Sequence, residues 1–114
     1  MMDRLPRLLA AALAAAVLAF PGCGPGGGKQ DAGDPAARGR RVYLANCTAC
    51  HNPDPSRPGS VGPAIKGSSR ALIEARVLRA AYPPGYTPKM KSRLMPAMPH
   101  LARSIDDLTA FLNQ

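Results

Sequence analysis

The sequence predicts an all-α fold in which three main helices are joined by long loops rich in proline and glycine. Apolar residues recur at helical spacing near the C-terminus, at Ile105, Leu108 and Phe111. Residues 52–67 and residues 82–99 are interrupted by prolines, which favours loops in both segments. No convincing run of alternating apolar and polar residues, typical of a half-buried strand, is found in the chain.

The first helix is predicted over residues 36–46. Asp34 can cap it with its side chain, and Pro35 suits the first turn because an N–H at that position would have no helical partner. Gly39 and Tyr43 lie four residues apart and therefore share one face. Glycine weakens a helix interior by about 1 kcal/mol, so its presence at position 39 indicates the close approach of another backbone.

The second helix is predicted to begin at Ser68 or Ser69, either of which can cap it, and to run to about Ala81. Its apolar stripe consists of Leu72, Ile73, Val77 and Ala80. The third helix is predicted to begin at Ser104, where Ser104 and Asp107 form a pair that resembles a capping box.

Residues 1–22 are predicted to be a signal peptide. Arg4 and Arg7 precede an uninterrupted apolar run from Leu8 to Phe20, and small residues follow it. The run is 13 residues long, whereas a helix that crosses a membrane needs about 20. We therefore expect this segment to direct export and then to be removed.

Cys23 follows this run directly after a glycine, which resembles the processing site of a bacterial lipoprotein, where such a cysteine becomes the lipidated first residue. The alternative is an ordinary signal peptide with an incidental cysteine nearby. Residues 23–35 contain five glycines and two prolines, which predicts a flexible tether. Residues 36–114 then form one small domain, held by a lipid anchor at the periplasmic side of a bacterial membrane.

The chain is strongly basic, with a formal net charge of +8. Without the first 22 residues it keeps 13 basic and 6 acidic side chains, a net charge of +7. Seven of the basic residues lie between Lys66 and Arg93, against Glu74 as the single acidic one. In an exported protein this excess disfavours nucleic acid as a partner and favours acidic protein surfaces or anionic lipid. The alternative is a basic face that only keeps the protein soluble.

A Cys-x-x-Cys-His motif places Cys47, Cys50 and His51 within a single helical turn. Covalent attachment of a c-type haem requires this spacing, with both cysteines bonded to the vinyl groups and the histidine on the iron. A redox dithiol would need a strand-and-helix pattern around the pair, which the chain lacks. A zinc site would need further ligands, and only His100 and the distant Cys23 are left.

The order helix, Cys-x-x-Cys-His, Gly-Pro loop, helix, Met-Pro loop and helix resembles the small class I c-type cytochromes of bacteria. The resemblance covers roughly residues 36–113 and implies the cytochrome c fold around one covalently bound haem c. It also implies that the first and last helices cross at Gly39, Tyr43 and Phe111.

The surroundings of the iron are likewise implied by this resemblance. The carbonyl of Pro63 is expected to accept a hydrogen bond from His51, which fixes the orientation of the ring. The Met-Pro-x-apolar-x-x-Leu pattern of the family matches Met95 as the sixth ligand, with Met98 as a packing residue. A thioether ligand favours reduced iron and raises the reduction potential. The alternatives are Met98 as ligand, or His100 or water in place of any methionine.

These features predict a one-electron carrier that makes no bond to a small-molecule substrate. Its partners are then redox proteins, with acidic docking surfaces if the basic face steers association. One alternative is a haem subunit fixed within a larger oxidoreductase or oxidase complex. The other is a haem enzyme or gas sensor with an open sixth position. The domain is small and has no tryptophan, so we expect the haem to form part of its core.

Overall fold

The computed structural model describes residues 33–114, and this part of the chain is helical and contains no strand. Helix α1 spans Pro35–Asn46, helix α2 spans Arg70–Arg79, and helix α3 spans Ile105–Leu112. A 3₁₀ helix, Pro99–Ser104, leads into α3. The predicted all-α class with three main helices is confirmed.

The predicted signal peptide and the lipidation candidate Cys23 lie outside the described residues, as does the predicted tether up to residue 32. Between residues 33 and 114, none of the helices has the length and apolar character that crossing a membrane requires.

Helix α1 begins as its sequence predicts. Asp34 is extended (φ −91°, ψ 114°), its side chain accepts a hydrogen bond of 2.9 Å from the N–H of Ala36, and Pro35 takes the first turn. At the other end the N–H of Cys47 donates to the carbonyl of Tyr43 at 2.9 Å. The Cys-x-x-Cys-His motif therefore continues directly from the last turn of α1.

Helix α2 is capped by Ser69, whose hydroxyl accepts from the N–H of Leu72 at 3.2 Å. It ends at Ala80, which is left-handed (φ 50°, ψ 29°), and the N–H groups of Ala80 and Ala81 donate back to carbonyls of the last turn. The prediction that Ala80 belongs to the apolar stripe is wrong. Ala80 is exposed because the chain turns away from the core at this cap.

The predicted capping box at the start of α3 is also wrong. The side chain of Ser104 makes no capping hydrogen bond, because the chain enters α3 from a 3₁₀ helix rather than from an extended segment. Asp107 pairs instead with Arg38 of α1, through two parallel hydrogen bonds of 2.7 and 2.9 Å.

Helices α1 and α3 cross at Gly39. A Cβ atom at this position would lie 1.9 Å from the carbonyl oxygen of Asp107, so a larger residue would push the two helices apart. Next to the crossing, the fully buried Tyr43 packs on Phe111 with ring centroids 5.3 Å apart and planes tilted by 49°. The core cluster around this contact consists of Tyr43, Ile73, Val77, Leu101, Ile105, Leu108 and Leu112.

Candidate functional site

The imidazole of His51 is buried, with only 9% of its surface exposed. Its Nδ1 lies 3.2 Å from the carbonyl oxygen of Pro63. A carbonyl can only accept, so Nδ1 carries the proton in this contact and Nε2 keeps its lone pair. An imidazole oriented in this way is ready to bind a metal ion through Nε2.

The Gly-Pro loop packs directly against the ring of His51. A Cβ atom at Gly62 would lie 2.4 Å from its Cε1 atom, so the backbone of the loop takes the place of a side chain there. The N–H groups of Val61 and Gly62 both donate to the carbonyl of Cys50, at 3.2 and 2.9 Å. The loop and the Cys-x-x-Cys-His motif therefore form one unit around the imidazole.

A large cleft brings the predicted site residues together. It is partly open to solvent, and Cys47, Cys50, His51 and Met95 all line it. Much of the remaining lining is apolar and comes from Ile65, Leu72, Ile73, Val77, Leu108 and Leu112. A concave, mostly apolar cleft with a few converging polar groups suits a large flat organic cofactor.

The candidates for a second axial ligand differ in their positions. Met95 is half-buried, packs against the core and lines the cleft. Met90 also lines it but is 41% exposed. Met98 packs against the core without lining the cleft, and its N–H donates to the carbonyl of Val77 at 2.6 Å. His100 is exposed and does not line the cleft.

The thiol of Cys47 does not have the properties of a redox-active thiol. Burial raises the pKa of the Cys47 thiol to about 11, whereas a reactive dithiol needs a thiolate near neutral pH. Cys47 and Cys50 form no disulfide bond, and no strand is present between residues 33 and 114. Over the same residues no group of three His, Cys, Asp or Glu side chains could hold a metal ion, so a zinc site does not fit either.

A buried tyrosine anchors the segment that follows the motif. The hydroxyl of Tyr43 donates to the carbonyl of Asn52 at 2.6 Å, which joins α1 to the chain just after His51. Burial, helped by the nearby groups of Cys47 and Asp54, raises the pKa of Tyr43 to about 12. The phenol therefore stays protonated and keeps this hydrogen bond at neutral pH.

The buried imidazole, the two cysteines within one turn of it and the apolar cleft fit a covalently bound haem. A model of the family described as cytochrome C oxidase, cbb3-type, subunit III matches residues 34–112. The chain belongs to this family of c-type cytochrome domains. Its cofactor is haem c, covalently bound and containing iron, and the predicted resemblance to class I c-type cytochromes is confirmed. The comparisons found no similar curated protein and no similar solved structure.

One wall of the cytochrome's cleft is aromatic and basic, and the sequence analysis did not predict this wall. Tyr82 and Tyr86 stack with centroids 5.4 Å apart and planes 10° from parallel, and the guanidinium of Arg76 lies 4.4 Å from the centre of the Tyr82 ring. All three residues line the cleft. The Tyr-Pro-Pro-Gly-Tyr sequence could have predicted the stacked rings, because Pro-Gly favours a turn. The N–H of Tyr86 and the carbonyl of Pro83 close that turn and bring the rings together.

Proposed function

We propose that this cytochrome domain is a one-electron carrier, with haem bonded to Cys47 and Cys50 and iron ligated by His51 and Met95. The haem supplies the change between ferric and ferrous iron, and no substrate bond is made or broken. The observation that carries the proposal is that one apolar cleft contains all four side chains.

His51 has the role of a fixed, electron-donating ligand in this proposal. The Nδ1 proton donated to Pro63 sets the tautomer and increases the basicity of Nε2. The glycine backbone against the ring restricts its rotation. An imidazole held in this way would change its orientation little between ferric and ferrous iron, which favours a carrier.

Met95 contributes a neutral, polarisable sulfur from the segment of residues 87–97, here called the methionine loop, and its side chain is half-buried. Such a ligand stabilises the lower charge of ferrous iron and raises the reduction potential. Its position on the cleft also opposes the alternative of an enzyme or gas sensor with an open sixth position. Rapid carbon monoxide binding to the reduced protein would favour that alternative.

The ligand assignment is tested by comparing Met95→Leu with Met98→Leu in the holoprotein. We expect Met95→Leu to abolish the sulfur-to-iron charge-transfer band of the ferric protein and to lower its reduction potential. Met98→Leu keeps the band and loses at most about 1.5 kcal/mol of stability, since it replaces one packing side chain by another of similar volume. Loss of the band in Met98→Leu alone would overturn the assignment.

We further propose that the rim of the cleft docks on acidic partners. Lys89 lines the cleft, and Lys91 and Arg93 alternate in the chain with the lining residues Met90, Ser92 and Leu94. These three cations are exposed, and among residues 33–114 no carboxylate forms an ion pair with them. The acidic groups of the helices are already paired, for example Asp107 with Arg38. Four large apolar side chains with more than a third of their surface exposed lie on the same cleft: Val61, Tyr82, Met90 and Leu94. Exposed apolar surface rimmed by unpaired cations fits a partner whose carboxylates surround an apolar patch.

This docking surface is tested with small oxidants of opposite charge. Stopped-flow oxidation of the reduced protein by anionic hexacyanoferrate(III) should slow as ionic strength rises, because salt screens exposed charges beyond about 10 Å at 0.1 M. The double variant Lys91→Gln/Arg93→Gln should lower this rate and flatten its salt dependence. With a cationic cobalt complex as oxidant, the rate should instead increase with ionic strength and should be higher in the double variant. Arg40→Gln, at an exposed position of α1 outside this segment, is the control. Equal responses of the double variant and the control would exclude this surface.

Export and lipidation at Cys23 complete the proposal, with the domain on the periplasmic side of a bacterial membrane. The support is the apolar run and the glycine-rich tether of the sequence. Mass spectrometry of the mature protein should show a lipidated N-terminal cysteine, and Cys23→Ser should release the cytochrome into the soluble fraction. An unmodified mature N-terminus at another residue would contradict this part.

A second candidate function is a haem subunit fixed within an oxidase complex, which the description of the matching family favours. Gentle detergent extraction separates the two functions. A mobile carrier elutes alone by size exclusion, whereas a fixed subunit elutes with integral membrane proteins at constant stoichiometry.

A further inference from the structure

The methionine loop is held to the rest of the domain by few polar contacts. Between residues 87 and 97 the chain forms no helix. Within the described part of the chain, one hydrogen bond ties this segment to another element, from Nζ of Lys89 to the carbonyl oxygen of Ala64 at 2.9 Å. The next tie is the N–H of Met98 to the carbonyl of Val77 at 2.6 Å. Met95 lies between these two points.

The carbonyl that accepts the hydrogen bond from Lys89 belongs to the Gly-Pro loop beside His51. Ala64 directly follows Pro63, whose carbonyl accepts the hydrogen bond from His51. The Lys89 contact therefore joins the loop that orients the histidine to the loop that carries the candidate methionine ligand, over a separation of 25 residues. Lys89 and Pro63 both line the cleft.

We propose that Lys89 is a positioning residue, whose hydrogen bond to Ala64 holds the methionine loop closed and keeps Met95 in the ligating position. This inference rests on the proposed ligation by Met95. The ammonium group carries three donors, and a charge-assisted bond to a backbone carbonyl is stronger than a neutral one. Lys89 is exposed, so water competes for its donors and the tie is reversible.

The second tie cannot replace the first. The Met98 bond involves backbone atoms at the C-terminal end of the loop, so it fixes where the loop ends and leaves its first half free. Within residues 33–114, the only other hydrogen bond of a residue between 87 and 97 is internal, from the N–H of Leu94 to the hydroxyl of Ser92 at 3.3 Å. Loss of the Lys89 contact should therefore allow the loop to open from its N-terminal side.

The test compares Lys89→Met, Lys89→Arg and Lys91→Met in the ferric holoprotein. Lys91 lies two residues away, carries the same charge and has no hydrogen-bond or ion-pair partner within residues 33–114, so it controls for the loss of charge. Imidazole is the probe, because it competes for the iron position that Met95 occupies. Its dissociation constant, followed by the Soret shift, should fall about tenfold in Lys89→Met, the size expected for one charge-assisted hydrogen bond. Lys89→Arg, which keeps a donor, should restore most of the difference.

A second readout separates positioning from general destabilisation. The sulfur-to-iron band of Lys89→Met should disappear at a lower temperature than in the wild type, while helix melting by far-ultraviolet circular dichroism changes little. Equal imidazole affinities of Lys89→Met and Lys91→Met would overturn the inference and leave the ligand assignment intact. If Met95→Leu keeps the sulfur-to-iron band of the wild type, both the ligand assignment and the Lys89 inference are overturned. Failure of the Lys89 inference alone is therefore distinguishable from failure of the ligand assignment.

Discussion

Tyr43 shows how one side chain connects the core to the site. Its ring is fully buried against Phe111, and its hydroxyl donates to the backbone just after His51. Only the protonated phenol can make this bond, and burial raises the pKa of Tyr43 to about 12. The folded state therefore binds the phenolic proton more tightly than the unfolded chain does.

This difference predicts how stability changes with pH. Because the folded pKa is raised above the ordinary value of about 10, the contribution of Tyr43 is complete below pH 10 and is lost as pH rises through about 12. Urea unfolding of the holoprotein at several pH values measures the effect. Tyr43→Phe should lower the free energy of unfolding at pH 8 by about 1 kcal/mol, the net value of a hydrogen bond, and should weaken its decline at high pH. An unchanged decline in Tyr43→Phe would contradict this; Tyr82→Phe, on the exposed aromatic wall, is the control.

Individual site residues were predictable from sequence where the signal is local. Cys47, Cys50 and His51 lie within five consecutive residues, and their spacing is compatible with few kinds of site. Lys89 gave no such signal, because its partner Ala64 is 25 residues away and contributes only a backbone carbonyl. Every residue type has a backbone carbonyl, so the identity of residue 64 does not reveal this contact.

At the scale of elements, the crossing of α1 and α3 is the central contact. It depends on a missing side chain at Gly39 and on the paired charges of Arg38 and Asp107. This ion pair also holds the pKa of the Asp107 carboxyl below its usual range, chiefly through the hydrogen bond from Arg38. Gly39 and Arg38 lie four and five residues before Tyr43 on α1, so the packing of the helices positions the start of the haem motif.

The crossing predicts that Gly39→Ala destabilises the protein although alanine is the better helix former. The new methyl group would lie 1.9 Å from the carbonyl oxygen of Asp107, and separating the helices should cost about 1–3 kcal/mol, more than the gain of about 1 kcal/mol in helix propensity. Denaturant unfolding of the holoprotein measures the difference. Arg40→Ala, at the next and exposed position of α1, should stay within about 0.5 kcal/mol of the wild type. A Gly39→Ala variant more stable than the wild type would show that the contact is looser than described.

Helix starts were predictable only where the cap is local. Asp34 and Ser69 cap α1 and α2 through side chains two and three residues from their partners. The sequence predicts Asp34 directly and narrows the second cap to Ser68 or Ser69. The start of α3 was predicted wrongly because the chain enters it from a 3₁₀ helix, and Asp107 pairs instead with Arg38, 69 residues away. A long-range ion pair overrides a local capping pattern without leaving a trace in the local sequence.

At the scale of the whole molecule, the described core is small. Its cluster has seven buried residues with Tyr43 as its only aromatic, and it borders a cleft lined by several of the same side chains. A domain of this size buries too little apolar surface for comfortable stability without a staple or a cofactor. We therefore expect the haem to serve both as the redox centre and as part of the hydrophobic interior.

This dual role predicts that the chain cannot hold its fold without haem. The variant Cys47→Ala with Cys50→Ala, produced without covalent attachment, should lack most of the helical circular dichroism of the holoprotein and show no cooperative thermal transition. The cause is the loss of the apolar contacts that Leu72, Ile73, Val77 and other lining residues make across the cleft, since the substituted cysteines are themselves only partly buried. Wild-type holoprotein measured in the same buffer is the control. Cooperative melting of the haem-free variant near the temperature of the control would show that the helices alone form a sufficient core.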